Sequence, residues 1–244
     1  ALRRGVVLHG LHVLLEFSEL GHNILHGCYD HLPDAGPFHS DRWRWDFVTD
    51  PREWKVMHHQ NHHPFTNIAG KDPDVGYSLL RLLPGQDWFA HHGLQPATVA
   101  LILACHLYYF TLYTATSAAR VEGRPVLSAD TFRASWRLIA DHVRRAYVAE
   151  PLAAGRRALP TLVGNFLGTA AGYGYTIAVL LLAHHAPGVQ LFPDPGPDEP
   201  PDAYARRQIL ATTNFTPIPA LEAYFQRVLR EEVRFDDQIG RAHV

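Results

Sequence analysis

The chain has 244 residues, 47% of them apolar, and a formal net charge of −2. That length suits one domain or two closely joined halves, and the near-neutral balance gives no basis for a nucleic-acid partner. Its two cysteines, Cys28 and Cys105, stand at no redox or zinc spacing, which sets aside a disulfide scaffold and a thiolate metal site. Histidine is the outlier, with 17 residues.

The chain starts at Ala1, its one methionine is Met57, and an apolar run opens at once over 5–15. This pattern predicts a longer element entered partway, and no small-residue cleavage site marks a signal peptide. Glu16 and Glu19 interrupt the run, which reads as the lower end of a membrane helix emerging into water. Residues 27–87, rich in His, Asp, Trp and Pro, predict short helices and loops. From 88 to 119, and again from 158 to 193, there is no Asp, Glu, Lys or Arg. Each stretch exceeds the roughly 20 residues that a spanning helix needs. Glycines at 164, 168, 172 and 174 predict close helix contact in the second. Between them, 117–160 carries eight arginines and four acids, with Phe132, Trp136, Ile139 and Val143 at helical spacing, an amphipathic helix along the membrane interface. A proline-rich loop over 186–203 leads into a helical section over 204–234. The fold expected is all-α: an integral membrane helical domain over 1–244 with a histidine-rich helical cap.

The stretch "KVMHHQNHHPF" at 55–65 concentrates the chemistry. His58 and His62, and likewise His59 and His63, are spaced i, i+4, and His59 and His62 add an i, i+3 pair. In "LGHNILHG", His22 and His26 repeat the i, i+4 spacing. An H-x2-H-H pattern arises by chance on the order of 0.1 times at this histidine frequency. Clustered neutral imidazoles suit a borderline ion such as zinc, copper or iron. A structural zinc closes with four ligands, and the surplus here, with further histidines at 91, 92, 184, 185 and 243, favours two ions. The absence of a neighbouring thiolate suits oxidative chemistry. Asp30, Asp46, Asp72 and Asp74 are available as carboxylates, without the Glu-x-x-His repeat of ferritin-like bundles.

These residues resemble the membrane fatty acid desaturases, whose three histidine boxes read H-x3/4-H, H-x2/3-H-H and [H/Q]-x2-H-H. "HNILH" matches the first at His22 and His26, and the second falls on His62 and His63 with either His58 or His59 leading. The flanks "ELGHNILHGCYD", "HHPFTNIAGKDPDVGY" and "RRQILATTNF" are similar to the bacterial acyl-CoA Δ9-desaturase branch. That branch favours His58, and the wider family His59. "LLLAHHAPG" places His184 where the branch has a histidine at the end of its last membrane helix. His243 fits the leading position of the third box, and the resemblance predicts histidines at the second and third positions past Val244.

The resemblance implies two non-haem irons held by His22, His26, His58 or His59, His62, His63, His184 and His243, O2 as co-substrate, and a cis double bond as product. It implies a fatty acyl substrate in an apolar tunnel between membrane helices, and an external electron donor, a ferredoxin-like protein or flavin reductase. The setting implied is the bacterial inner membrane with the metal site on the cytoplasmic side. Boxes on one side place 117–160 opposite, whereas its arginines favour the cytoplasm, so that segment is expected to lie back along the interface. A hydroxylase on the same scaffold and a non-catalytic metal-binding membrane protein are the alternatives.

Overall fold

The computed structural model describes residues 2–43, 45, 48–186 and 188–212. Among them the chain is helical, and its extended pairing is a single parallel bridge between Ile68 and Phe192. The main helices are α1 (Leu2–Leu14), α2 (His22–Leu25), α3 (Pro51–Met57), α4 (Gln95–Val121), α5 (Ala129–Arg144), α6 (Glu150–Ala153), α7 (Ala158–His185) and α8 (Pro201–Leu210). Three π-helical segments join them: Leu15–Gly21 runs α1 into α2, His58–His62 continues α3, and Arg145–Ala149 links α5 to α6.

Local chemistry sets the boundaries. Asp50 caps α3, its side chain accepting from the Arg52 and Glu53 amides at 3.0 and 3.1 Å, with Pro51 in the first turn. Ser128 caps α5 in the same way, accepting from the Thr131 amide at 3.1 Å. α7 stops at His185, ahead of Ala186, whose extended backbone is what a following proline at 187 demands.

α1 and α7 pack in parallel, and their glycines explain how closely. A Cβ on Gly172 would meet the Gly10 carbonyl at 2.7 Å, and one on Gly10 would meet the Gly168 carbonyl at 3.3 Å. Leu2 lies against Gly164, His9 against Gly168 and Val13 against Gly172, so the two helices climb together. The small-residue contact expected from the sequence is therefore made, and α1 is its partner. Because the helices are parallel, both deliver their last turns, with His22 and His184, to one end of the bundle.

Two helical stretches, 90–121 and 155–185, are long and apolar enough to cross a membrane. The first departs from the straight span expected of it. Cys105 has φ −119° and ψ 22°, which breaks the hydrogen-bond ladder of α4 at its middle. Residues before α4 (His91, His92) and in its last turns (Ser117, Arg120) line one cavity of about 390 Å³. The half of α4 beyond the break is buried, and Phe110 and Tyr113 stand in the core beside Phe17, Tyr173 and Ile177. Phe17 is stacked on Trp45 and edge-on to Phe110 and Tyr173, at centroid distances of 5.7, 5.7 and 6.3 Å.

α5 runs antiparallel to α4, with the Tyr108 hydroxyl 3.1 Å from His142 Nδ1. It turns Thr131 and Ser135 inward, whereas Trp136 is 57% and Val143 38% exposed. The apolar stripe read from the sequence is thus divided: Trp136 and Val143 face outward, Phe132 is half-buried and Ile139 packs against the core. Of the helical section expected over 204–234, α8 begins at Pro201 and ends at Leu210, and everything past 212 lies outside the described residues.

Candidate metal centre

The π-helical turn over His58–His62 decides which imidazoles meet. Its backbone bonds reach five residues, as in the His63 amide donating to the His58 carbonyl at 3.0 Å. Residues five apart are therefore stacked on one face. The sequence spacing paired His58 with His62 and His59 with His63 on an α-helical register; the wider turn brings His58 to His63 as well, at a centroid distance of 4.5 Å, while His58 and His62 stay stacked at 5.3 Å. His63 Nε2 lies 3.0 Å from His58 Nε2 and 3.3 Å from His26 Nε2. With His22, these offer four imidazole nitrogens all within 4.8 Å of one another. His22 and His26 arrive from α2, where the preceding π segment ends in the His22 amide donating to the Phe17 carbonyl.

Nothing anionic belongs to this group of four. Ring nitrogens this close either share a proton in N–H···N hydrogen bonds or face a common cation, so the four could hold a metal ion. Burial first, and then the facing imidazoles of His22, His62, His63 and His26, push the His58 pKa well below the usual histidine value. It is thereby held in the neutral form that binds metals. Trp54, 1% exposed, forms the wall behind them, stacked on His58 at 4.4 Å and edge-on to His22 at 5.4 Å. Gly21 is required on the other side, because a Cβ there would run into the Trp45 indole and the Glu16 carbonyl.

His62 joins a second group with Asp72 and Asp74, their ligand atoms again within 4.8 Å. His62 Nδ1 donates to Asp72 Oδ1 at 2.9 Å and stands 3.4 Å from Asp74 Oδ2. Burial opposes a charge on His62, but the Asp72 and Asp74 carboxylates outweigh it and raise its pKa to about 9. Burial likewise raises the Asp74 pKa, and Tyr113 donates to its carboxyl at 2.5 Å. Asp72 is held ionised against its own burial by His62 and by the Asn67 and Asp74 amides, at 2.8 and 2.9 Å. With Nδ1 fixed on Asp72, His62 has Nε2 to offer a metal, an orienting pair common around metal sites.

His184 reaches this second group from the end of α7, its ring edge-on to His62 at 5.2 Å. Its Nδ1 is buried with no hydrogen-bond partner among the described residues, so that atom could serve as a metal ligand. Asn67, in the left-handed region at φ 55°, sets its position, donating from Nδ2 to the carbonyls of His184, Gln190 and Ala211 at 3.1, 3.3 and 3.0 Å. α8 straps the same loop from outside. Arg207, 5% exposed, binds Glu199 and the Pro64 carbonyl, and Gln208 donates to the His63 carbonyl at 2.8 Å.

Of the residues singled out in the sequence, His22, His26, His58 and His63 therefore converge, and His62 and His184 meet beside Asp72 and Asp74. His59 stays outside the group of four, stacked on His26 at 4.1 Å. His91 and His92 line the separate cavity described above, and His243 lies outside the described residues. Asp30 is engaged elsewhere, by Ser40 at 2.6 Å, and Asp46 is not among the described residues. Trp54 and Tyr113 carried no signal in the residue pattern, and Asn67 was marked only as part of the flank after His63.

Over 228 residues the chain is 29% identical to NADPH-dependent stearoyl-CoA 9-desaturases of two Mycobacterium tuberculosis strains, covering 89% of this chain and 52% of theirs. The chain is a relative of the fatty acid desaturases. Its similarity is to the bacterial acyl-CoA Δ9 branch, and it spans about half the length of the Mycobacterium tuberculosis desaturases it matches. A shorter match, 48% identical over 42 residues, joins it to an acyl-lipid (8-3)-desaturase of Mortierella alpina, covering 16% of this chain and 9% of that desaturase. No family model matches this desaturase relative, and no solved structure does.

Proposed function

We propose that this chain is the metal-binding membrane part of an O2-dependent di-iron desaturase that introduces a cis double bond into a fatty acyl chain, carried by coenzyme A or a lipid. The observation that carries the reading is the convergence of four imidazoles beside a second group of His62, Asp72, Asp74 and His184. The donor set fits iron: imidazole and carboxylate without thiolate, and more ligands than one structural ion takes. His22, His26, His58 and His63 would hold one iron, and His62 and His184 with the two carboxylates the other, to which the third-box His243 would add. Bound irons supply the activation of O2 and the removal of two hydrogens from an unactivated methylene pair.

The protein's own groups supply the setting. Asp72 fixes the orientation of His62, and Trp54 excludes water from behind the four imidazoles. The aromatic layer of Phe17, Phe110 and Tyr173 makes the adjoining interior apolar, suited to an acyl chain lying between α1, α4 and α7. Lys71 and Arg120, lining the 390 Å³ cavity next to Asp72, suit the phosphates of an acyl carrier. Electrons come from an external reductase, ferredoxin-like or flavin-dependent, and the NADPH in the name of the Mycobacterium tuberculosis relatives accords with one. The parallel α1 and α7 would set the histidine-rich cap on the cytoplasmic face of a bacterial inner membrane.

The test is to express the intact gene in cells fed saturated acyl chains and to analyse their lipids. New cis-monounsaturated chains, lost with His63→Ala, are expected. A hydroxylated product alone, or no product from an iron-loaded protein supplied with electrons, would overturn the proposal.

A further inference from the structure

The end of the bundle remote from the histidine boxes is basic. Arg3 and Arg4 lie in the first turn of α1, and Arg156 and Arg157 in the turn that leads into α7. All four are exposed, and none of their guanidinium groups has an ion-pair or hydrogen-bond partner among the described residues. Leu2 lies against Gly164, so the parallel helices bring both pairs to the same end. Arg157 precedes Gly164 by seven residues, about 10 Å along the axis, a gap that long arginine stems close by reaching toward one layer. No acid precedes Glu16 in the sequence, and none stands between Glu150 and Asp194. Glu150 itself accepts from Asn165 at 2.8 Å, and Arg145 on the same cavity wall offsets its charge.

We propose that these four arginines form a collar that binds the headgroups of acidic phospholipids, in the leaflet opposite the histidine-rich cap. The length agrees. α7 has 28 residues, about 42 Å at the helical rise, which matches the roughly 40–45 Å of a bilayer with its headgroups. With His184 at one headgroup layer, Arg156 and Arg157 therefore stand at the other. The surface between agrees as well. Just inside the collar α7 exposes Leu159, Leu162 and Phe166, at 69%, 36% and 48%, and α1 exposes Val7 and Leu8, at 59% and 67%. Apolar side chains on that outer face suit acyl tails, and the arginines at its edge suit the phosphate above them. Guanidinium binds a phosphate through two parallel N–H···O bonds, and with no acid to compete, all four groups are available to an anion. The collar also gives a task to arginines that the positive-inside rule would place with the boxes: here the facing lipid phosphates neutralise them. The inference rests on the reading of 155–185 as a span and not on the iron chemistry.

The experiment is lipid retention by the full-length protein. In a non-ionic detergent it is mixed with equal amounts of phosphatidylglycerol and phosphatidylcholine and passed over a size-exclusion column, and the lipid that elutes with it is counted. Phosphatidylglycerol should be retained about 20-fold or more over phosphatidylcholine, from two arginines on a headgroup at roughly fivefold each. Arg156→Gln combined with Arg157→Gln should lower that ratio about 5-fold or more, and so should Arg3→Gln combined with Arg4→Gln on the other helix. Arg156→Lys combined with Arg157→Lys, which keeps the charge, should hold most of it. Arg42→Gln combined with Arg206→Gln, two exposed arginines on the cap side, should leave it unchanged. Iron content and retention in the membrane pellet should be the same in all of these variants, so a failure of the iron reading or of the span shows separately. Equal retention of the two lipids by the wild type, a ratio that neither collar pair lowers, or an equal fall in the cap-side control would overturn the proposal.

Discussion

Replacing Gly172 with alanine tests how the bundle positions the centre. The added methyl would stand 2.7 Å from the Gly10 carbonyl oxygen and 2.8 and 2.9 Å from Val13 carbons, where ordinary contact begins at 3.4 Å. The helices must separate by roughly 0.5–0.7 Å, because a backbone oxygen cannot rotate away as a side chain can. Overpacking of this kind costs about 1–3 kcal/mol, and the rigid neighbour puts it near 3. Alanine's better helix propensity returns about 1 kcal/mol, leaving a net loss of about 2 kcal/mol. At roughly 2–4 °C per kcal/mol for a chain of this size, Gly172→Ala should melt about 4–8 °C lower. Gly5→Ala is the control: nothing lies within 4 Å of its added methyl, so it should melt at or slightly above the wild type. Thermal unfolding in detergent at one scan rate, with iron counted before heating, is the assay. Iron retention should fall as well, since α1 leads into His22 and α7 ends on His184. A Gly172→Ala protein that melts with the wild type would refute the close parallel packing on which the site geometry rests.

Asn67→Ala leaves the buried Ala211 carbonyl and the part-buried carbonyls of His184 and Gln190 short of a donor and places a Cβ-bearing residue without a compensating side-chain bond at φ 55°, a loss of about 2–3 kcal/mol, of which Asn67→Gly should recover about 1. Melting temperatures should therefore rank wild type, Asn67→Gly, Asn67→Ala, and equal values for all three would contradict the assignment. Asp72→Asn keeps the shape of the His62 partner without its charge, and should make iron about 10–100-fold easier to strip with a chelator. The intact protein should stay in the membrane pellet through a carbonate wash and need detergent to leave it; recovery in the soluble fraction would contradict the reading of 155–185 as a span.

Part of the clustering was legible because histidine is concentrated in two short stretches: His22 and His26 come together with His58 and His63, and His62 lies beside His184. The glycines of α7 were legible for a similar reason, since small residues at helical spacing have few other uses in an apolar segment. The choice between His58 and His59 was not. Spacing assumes a register of 3.6 residues per turn, and the π-helical turn that brings His58 to His63 departs from it. Asp72 and Asp74 were visible as carboxylates but not as partners of His62, because the loop that returns them is closed by Asn67 and by the chain after α7. The break at Cys105 leaves no composition signal, as neither Gly nor Pro, the usual marks of a kink, stands beside it.

The most direct test of the centre is to count iron in the intact protein and in two single variants, His58→Ala and His59→Ala. Two irons per chain are expected in the wild type and in His59→Ala, whose ring stacks on His26 outside the group of four. His58→Ala should lose the iron held with His22, His26 and His63. Retention of both irons by His58→Ala, with loss from His59→Ala, would contradict the account.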